Sequence, residues 1–176
     1  FGVIGTGIFG ALHCRVYSEH PRARLVAVCD LDPKRAKAAA RQYRVKQWFT
    51  DYRKLLEMSE VEAVSIATPD FAHKGPAVAA AKAGKHFLVE KPLATTLPEA
   101  RAIAEAAKKA GVTAMVDFHN RWSPAMYKTK QAIKKGQLGK VVMVYYRLSD
   151  TREVPVKWFK WSSKTSVLWF LGSHCV

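Results

Sequence analysis

Short apolar runs alternate with segments of helical period along the first two thirds of the chain. The runs are FGVI (1–4), RLVAVCD (24–30), EAVSIAT (62–68), HFLVE (86–90) and VTAMVDF (112–118), with VKQWF (45–49) as a weaker sixth. Each run is nearly continuous in apolar residues, which is typical of strands buried on both faces of a parallel sheet. The pattern predicts helices between them at Ile8–Glu19, Pro33–Tyr43, Tyr52–Met58, Ala72–Ala83 and Pro98–Ala110. We therefore predict an α/β fold with a doubly wound parallel sheet and right-handed crossovers.

The character of the chain changes after about residue 119. Residues 123–139 predict a helix followed by glycine turns, and KVVMVYYRLSD (140–150) predicts a long strand with one exposed face. We expect a first domain over 1–119 and the beginning of a second domain over 120–176, which one helix and one strand do not complete. Because the chain opens without Met, we also expect its natural N-terminus to lie upstream, so that the sequence does not exclude an export signal.

Composition narrows the classes of partner. The net charge of +15 raises nucleic acid as a partner, but the Lys and Arg residues are spread along helices with no run of five, which favours a solvated surface. No apolar run is long enough to span a membrane. Cys14, Cys29 and Cys175 form no C-x-x-C pair, which indicates reduced thiols and a cytoplasmic location. The histidines lack metal-ligand spacing, so we expect no metal site.

A glycine motif, Gly5-x-Gly7-x-x-Gly10, follows the first strand, and Asp30 ends the second. These glycines permit a tight turn and a close approach to a pyrophosphate, while a carboxylate in the position of Asp30 accepts from a ribose. The motif predicts dinucleotide binding, and because a carboxylate repels a 2′-phosphate it favours NAD over NADP, a preference that the basic residues Lys34 and Arg35 weaken. The candidate cofactor-binding residues here are Gly5, Thr6, Gly7, Ile8, Phe9, Gly10, Asp30, Leu31 and Arg35.

Glu90 and Lys91 lie where a buried strand ends. Ligands of open parallel sheets bind outside the carboxyl ends of the strands, so Lys91 is expected beside the nicotinamide, with its pKa lowered by burial and by the positive ring. An alternative is a structural ion pair between Lys91 and Glu90. The segment alone does not decide between them.

Six segments, in this order, resemble the Gfo/Idh/MocA family, the relatives of glucose-fructose oxidoreductase and inositol dehydrogenase. They are GVIGTGIFG (2–10), ATPDFAH (67–73), EKPLA (90–94), FHNRWSP (118–124), GQLGKVV (136–142) and LGSHCV (171–176). The resemblance implies an N-terminal Rossmann domain and a C-terminal α/β domain with a mostly antiparallel sheet. It also implies a homo-oligomer when the protein is full length.

The resemblance assigns roles to single residues. Lys91 matches the family's catalytic lysine, with a cis bond to Pro92 implied, and Glu90 stands beside it as a cofactor contact. His174 matches a histidine that binds substrate and transfers protons. The remaining implied cofactor contacts are Thr68, Pro69, His73 and His119.

One position departs from the family pattern. Phe170 stands four residues before His174, where many family dehydrogenases carry an aspartate. A phenylalanine accepts no proton and no hydrogen bond from a sugar hydroxyl. The Lys-Asp-His arrangement is thus reduced to Lys91 and His174, which weakens the case for an inositol-like substrate.

The leading functional hypothesis is an NAD-dependent oxidoreductase that moves hydride between the nicotinamide and a hydroxyl-bearing carbon of a sugar, polyol or related small molecule. Two alternatives remain. One is a nucleotide-binding regulator that has lost catalysis, and the other is an enzyme that uses tightly held NAD for transient oxidation, as in glycoside hydrolysis or epimer-like exchange.

Overall fold

The computed structural model describes residues 1–159 and 161–174, and the chain divides into two compact units, Phe1–Val116 and Asp117–Val176. The first unit is built on a six-stranded sheet. Its strands are β1 (Gly2–Ile4), β2 (Ala27–Cys29), β3 (Gln47–Phe49), β4 (Ala63–Ile66), β5 (His86–Glu90) and β6 (Ala114–Asp117), in the order β3-β2-β1-β4-β5-β6. The four pairs from β3 to β5 are parallel. The predicted doubly wound parallel sheet is confirmed, including the weak strand β3.

Helices alternate with these strands. They are α1 (Ile8–Glu19), α2 (Pro33–Gln42), α3 (Tyr52–Leu56), α4 (Lys74–Lys82), α5 (Leu97–Ala110), α6 (Pro124–Lys134) and α7 (Val167–Phe170). Local chemistry fixes their ends: the Asp32 carboxylate accepts from Lys34 N at 2.9 Å, and Gly111 ends α5 with φ 66°. Within the described part of the chain, no helix has both the length and the apolar character needed to cross a bilayer.

The sheet is covered by a separate apolar cluster on each face. Because side chains alternate along a strand, Val3 packs with Cys14 of α1 on one face, whereas Ile4 packs on the other with the larger cluster that includes Leu55 and Ile103. The residues of the central strands β1 and β2 are buried, as are Val64, Ser65 and Ile66 of β4, whereas the edge strands β3 and β6 are partly exposed. This two-sided burial explains why the strand sequences are continuous rather than alternating in polarity.

The strand expected over 140–150 was a wrong prediction. These residues are all described and form no strand, and the side chains of Val142, Met143 and Tyr145 are more than four-fifths exposed. A strand is stable only when its backbone N–H and C=O groups pair with a neighbour. No strand in the described residues pairs with this segment.

Burial makes the thiols of Cys14 and Cys29 poor nucleophiles. It raises the pKa of each from 9.0 to about 12. We expect both to react with a thiol reagent at pH 8 about a thousandfold more slowly than in the guanidinium-unfolded chain, because only the thiolate reacts. Peptide-resolved mass spectrometry of the labelled chain measures this, and equal rates in the folded and unfolded states would contradict it. Cys175 lies outside the described residues.

Candidate active site

The glycine loop is held so tightly that two of its glycines have no room for a side chain. Gly5 has φ +90°, and a Cβ on it would lie 2.6 Å from the carbonyl oxygen of Ala67. A Cβ on Gly10 would lie 1.7 Å from the carbonyl oxygen of Gly5. The first glycine therefore permits the turn, and the third lets α1 approach the end of β1.

Gly7 differs from these two glycines because the space beside it is open. A Cβ there would meet nothing within 4 Å, and Gly7 begins α1 with an ordinary negative φ of −69°. Among the described residues, no side chain caps the first turn of α1. An open helix N-terminus presents N–H groups and a positive dipole end, which suit a phosphate.

Asp30 connects the glycine loop to the end of β2. One carboxylate oxygen, Oδ2, accepts from Thr6 N at 2.8 Å and from Thr6 Oγ1 at 3.0 Å, while Oδ1 accepts from Asp32 N at 2.9 Å. A carboxylate offers about four acceptor sites, so capacity remains for a further donor such as a ribose hydroxyl. Near the Asp30 carboxylate, Arg35 Nε lies 3.4 Å from Asp32 Oδ2, and the side chain of Leu31 is exposed.

A second loop follows β4 at the same edge of the sheet. Ala67 N donates to the carbonyl oxygen of Ile4 at 2.8 Å, which places this loop beside the glycine turn. Thr68 Oγ1 is buried and has no hydrogen-bond partner among the described residues. A buried hydroxyl without a partner is uncommon in a folded protein, and a bound ligand is one way to complete it.

His73 is buried against two backbone carbonyls. Its Nδ1 lies 2.8 Å from the oxygen of Pro92 and its Nε2 lies 3.0 Å from the oxygen of Thr68. Burial lowers the pKa of His73 below 6.5, although both carbonyls and the nearby Asp70 and Glu90 raise it. The neutral ring carries one N–H, so it donates to one carbonyl at a time.

Glu90 and Lys91 are both buried at the end of β5, with 7% and 6% exposure. The Glu90 carboxylate accepts from His13 Nε2 of α1 at 3.0 Å, and His13 Nδ1 lies 3.1 Å from Ser65 Oγ, which lies 2.6 Å from the Tyr17 hydroxyl. The polar row His13, Ser65 and Tyr17 was not among the residues predicted from the sequence. The Lys91-Pro92 bond is cis, as the family resemblance implied.

The other two predicted site histidines belong to the second unit. His119 begins a short 3₁₀ turn, His119–Trp122, and its ring centroid lies 4.7 Å from that of His174 in an edge-on arrangement. Phe170 packs edge-on against Phe159 at 5.2 Å, within an apolar group that also includes Trp161. Phe170, at the position where the family resemblance implies an aspartate, is thus part of an apolar cluster.

A model of the oxidoreductase family with an NAD-binding Rossmann fold matches residues 1–118 of the chain. The match covers well over half of the sequence and includes the glycine loop, Asp30 and Lys91. The chain belongs to the Gfo/Idh/MocA family.

Curated members of the Gfo/Idh/MocA family are similar over most of the chain. The levoglucosan dehydrogenase of Pseudarthrobacter phenanthrenivorans is 34% identical over 149 residues, which cover 80% of this chain and 38% of that protein. The scyllo-inositol 2-dehydrogenase (NAD(+)) of Bacillus subtilis is 36% identical over 146 residues, 82% of this chain and 42% of the relative. The chain therefore spans less than half the length of these relatives.

Solved structures of Gfo/Idh/MocA proteins share the fold. Levoglucosan dehydrogenase in complex with NADH gives a TM-score of 0.73 at 35% identity, with 79% of this chain and 40% of that chain covered. A probable dehydrogenase from Thermotoga maritima gives 0.77 at 32% identity, with 79% and 42% covered.

The residues of the first unit fit the family's NAD. The open space at Gly7, the uncapped start of α1, the acceptor capacity of Asp30 and the buried Thr68 hydroxyl are all at the carboxyl edge of the sheet. Each offers what a part of a dinucleotide requires: close approach and N–H groups for the phosphates, and polar partners for the ribose.

Two glycine substitutions separate the roles of the loop. We expect Gly10→Ala to lower the free energy of unfolding by about 3 kcal/mol or more, because its Cβ has no room. Gly7→Ala is expected to change that free energy by less than about 1 kcal/mol but to weaken NADH binding at least about tenfold, since its Cβ occupies the open space. Thermal unfolding and NADH fluorescence titration measure the two effects. Unchanged NADH affinity in Gly7→Ala would place the phosphates elsewhere.

The lowered pKa of His73 predicts acid sensitivity. Below pH 6.5 the ring takes up a proton in the unfolded chain but not in the folded chain. The contribution of His73 to the free energy of unfolding is therefore fully present above pH 6.5 and is lost as the pH falls toward the lowered pKa. We expect His73→Gln to flatten the fall in the free energy of unfolding between pH 6.5 and 5, and His20→Gln, at an exposed histidine, to leave the fall as in the parent. Urea titrations across this range measure it, and a slope identical in His73→Gln and the parent would refute the assignment.

Proposed function

We propose that the protein is an NAD-dependent oxidoreductase that transfers hydride between the nicotinamide and a hydroxyl-bearing carbon of a carbohydrate-like small molecule. The observation that carries this proposal is Lys91, a lysine with 6% exposure at the carboxyl end of β5, on the sheet edge that also bears the glycine loop. Lysine is seldom buried without a function or a partner that compensates for lost hydration. The names of the relatives, which are sugar and polyol dehydrogenases, support the same reaction class.

Different residues of the first unit are proposed to bind different parts of NAD. The open glycine loop and the start of α1 bind the pyrophosphate, and Asp30 accepts from the adenosine ribose, which favours NAD over NADP. Ile8, Phe9, Leu31 and Arg35 flank that ribose and the phosphates. The loop from Thr68 through Pro69 lies toward the nicotinamide half, where the Thr68 hydroxyl gains its partner.

Lys91 is the residue to which we assign proton transfer. When bound, NAD supplies the hydride acceptor, and the protein contributes position and charge. Lys91 takes the proton of the substrate hydroxyl in oxidation and returns it in reduction. We assign His174 to orienting the substrate and His119 to the nicotinamide side, without an aspartate at position 170 to share the proton.

The second unit is proposed to be the beginning of a substrate and oligomerisation domain over 120–176, with 1–119 as the NAD-binding domain. The relatives are more than twice as long as the matched region. The side chains from Val142 to Tyr145 are exposed and apolar, and we propose that a further part of a longer chain or a second copy covers them.

Replacement of Lys91 tests the proposal. In the complete gene product we expect Lys91→Ala to keep NADH binding within about threefold and to lower kcat by about two orders of magnitude or more, as for loss of a general acid-base. Turnover is measured as NADH formation with scyllo-inositol, myo-inositol, levoglucosan and D-apiose, and with NADP in place of NAD. Lys82→Ala, on α4, is the control lysine.

The outcomes separate the alternatives. Equal turnover in Lys91→Ala and the parent would refute the role of Lys91. Tight NADH binding without net NADH formation on any substrate would favour transient oxidation or a regulator over a dehydrogenase.

A further inference from the structure

Lys91 lies between two residues that are each held by a buried histidine. On its N-terminal side, Glu90 accepts a hydrogen bond from His13 Nε2 at 3.0 Å. On its C-terminal side, the carbonyl oxygen of Pro92 lies 2.8 Å from His73 Nδ1. His13 has 9% exposure and His73 has 1%. The two histidines come from different elements, α1 and the loop before α4, so the lysine segment is held from two directions.

The contact with His13 follows from the alternation of side chains along β5. Val89 belongs to the apolar cluster on the α3–α5 face of the sheet, so Glu90 faces α1. A carboxylate buried there needs a donor, and the imidazole supplies one. The other ring nitrogen, Nδ1, lies 3.1 Å from Ser65 Oγ, and Ser65 Oγ lies 2.6 Å from the Tyr17 hydroxyl. Glu90, His13, Ser65 and Tyr17 thus form one continuous row of hydrogen bonds.

The contact with His73 connects two segments of the site. Its second nitrogen lies 3.0 Å from the carbonyl oxygen of Thr68, in the loop proposed to lie beside the nicotinamide. One buried ring therefore contacts both that loop and the residue after Lys91. A lysine has four rotatable side-chain bonds, so a fixed backbone on both sides is what limits where its amine can reach.

We propose that His13 and His73 are positioning residues for Lys91, acting through Glu90 and Pro92 and not through contact with substrate. The inference rests on the role proposed above for Lys91. Together the two histidines form a clamp, defined as His13–Glu90 and His73–Pro92. The clamp holds the amine at a set distance from the cofactor loop, and its loss lowers catalysis while leaving the phosphate-binding loop in place.

The test compares, at each histidine, a variant that removes the hydrogen bonds with a variant that restores them. His13→Leu and His73→Leu remove the hydrogen bonds. His13→Gln keeps a partner for both neighbours, because the amide N–H₂ can donate to Glu90 and the amide oxygen can accept from Ser65. His73→Gln likewise restores a donor toward Pro92. Cys14→Ala is the matched control, since Cys14 is buried next to His13 in sequence but packs in the apolar cluster with Val3.

The first readout is the reactivity of Lys91, which needs no substrate. Competitive acetylation with acetic anhydride, resolved by peptide mass spectrometry, compares Lys91 with the exposed Lys34. We expect each Leu variant to change the relative rate at Lys91 by roughly tenfold, with the Gln variants near the parent. The same change in Cys14→Ala, or no change in either Leu variant, would overturn the clamp.

The second readout is turnover in the complete gene product. We expect the Leu variants to lower kcat by about 10- to 100-fold, with KM for NAD within about threefold of the parent, and the Gln variants to recover most of kcat. A parent enzyme without turnover would refute the proposed function, whereas the acetylation rates would still show whether the clamp positions Lys91.

If His13→Leu does not fold, Glu90→Gln is the replacement variant, because it keeps the side-chain volume and weakens the same contact. Unchanged Lys91 reactivity in Glu90→Gln would also overturn the proposal.

Discussion

The close contact between α1 and the end of β1 is the constraint on which the rest of the site depends. Gly10 lies so near the carbonyl oxygen of Gly5 that no other residue fits. This approach places the start of α1 at the carboxyl edge of the sheet, with open space beside Gly7. It also brings His13, one turn further along α1, onto Ser65 and Glu90. The same helix therefore positions both the proposed phosphate-binding loop and the residues around Lys91.

The fold of the first unit could be predicted because the sequence patterns that specify its helices and strands are local or periodic. Continuous apolar runs, the Asp32 cap and the glycine at position 111 each act within a few residues, and the parallel sheet follows from their alternation. The same logic placed the glycine loop and Lys91 at one edge. The strand expected over 140–150 was wrong because pairing depends on a neighbour distant in sequence, and no pattern within the segment supplies one.

The polar row from Tyr17 through His13 to Glu90 was missed for a related reason. Glu90 was weighed as a partner of Lys91 and as a cofactor contact, and no partner was predicted for His13. The structure gives the Glu90 carboxylate a donor, His13, that lies 77 positions away in the sequence. A signal was present in the sequence: Ser65 lies in the middle of an apolar strand, and a polar residue at a fully buried position requires a partner. That partner could not be named without the packing of α1.

The bonds of Asp30 bear on attempts to change cofactor preference. Exchange of such a carboxylate for a small or basic residue is the obvious way to admit a 2′-phosphate. Here the same carboxylate accepts from both the backbone and the hydroxyl of Thr6, so its removal leaves two donors of the glycine loop without their acceptor. A redesign toward NADP therefore has to supply new partners for Thr6 as well as a new anion site. The proposed nucleotide selectivity and the rigidity of the glycine loop therefore depend on the same side chain, Asp30.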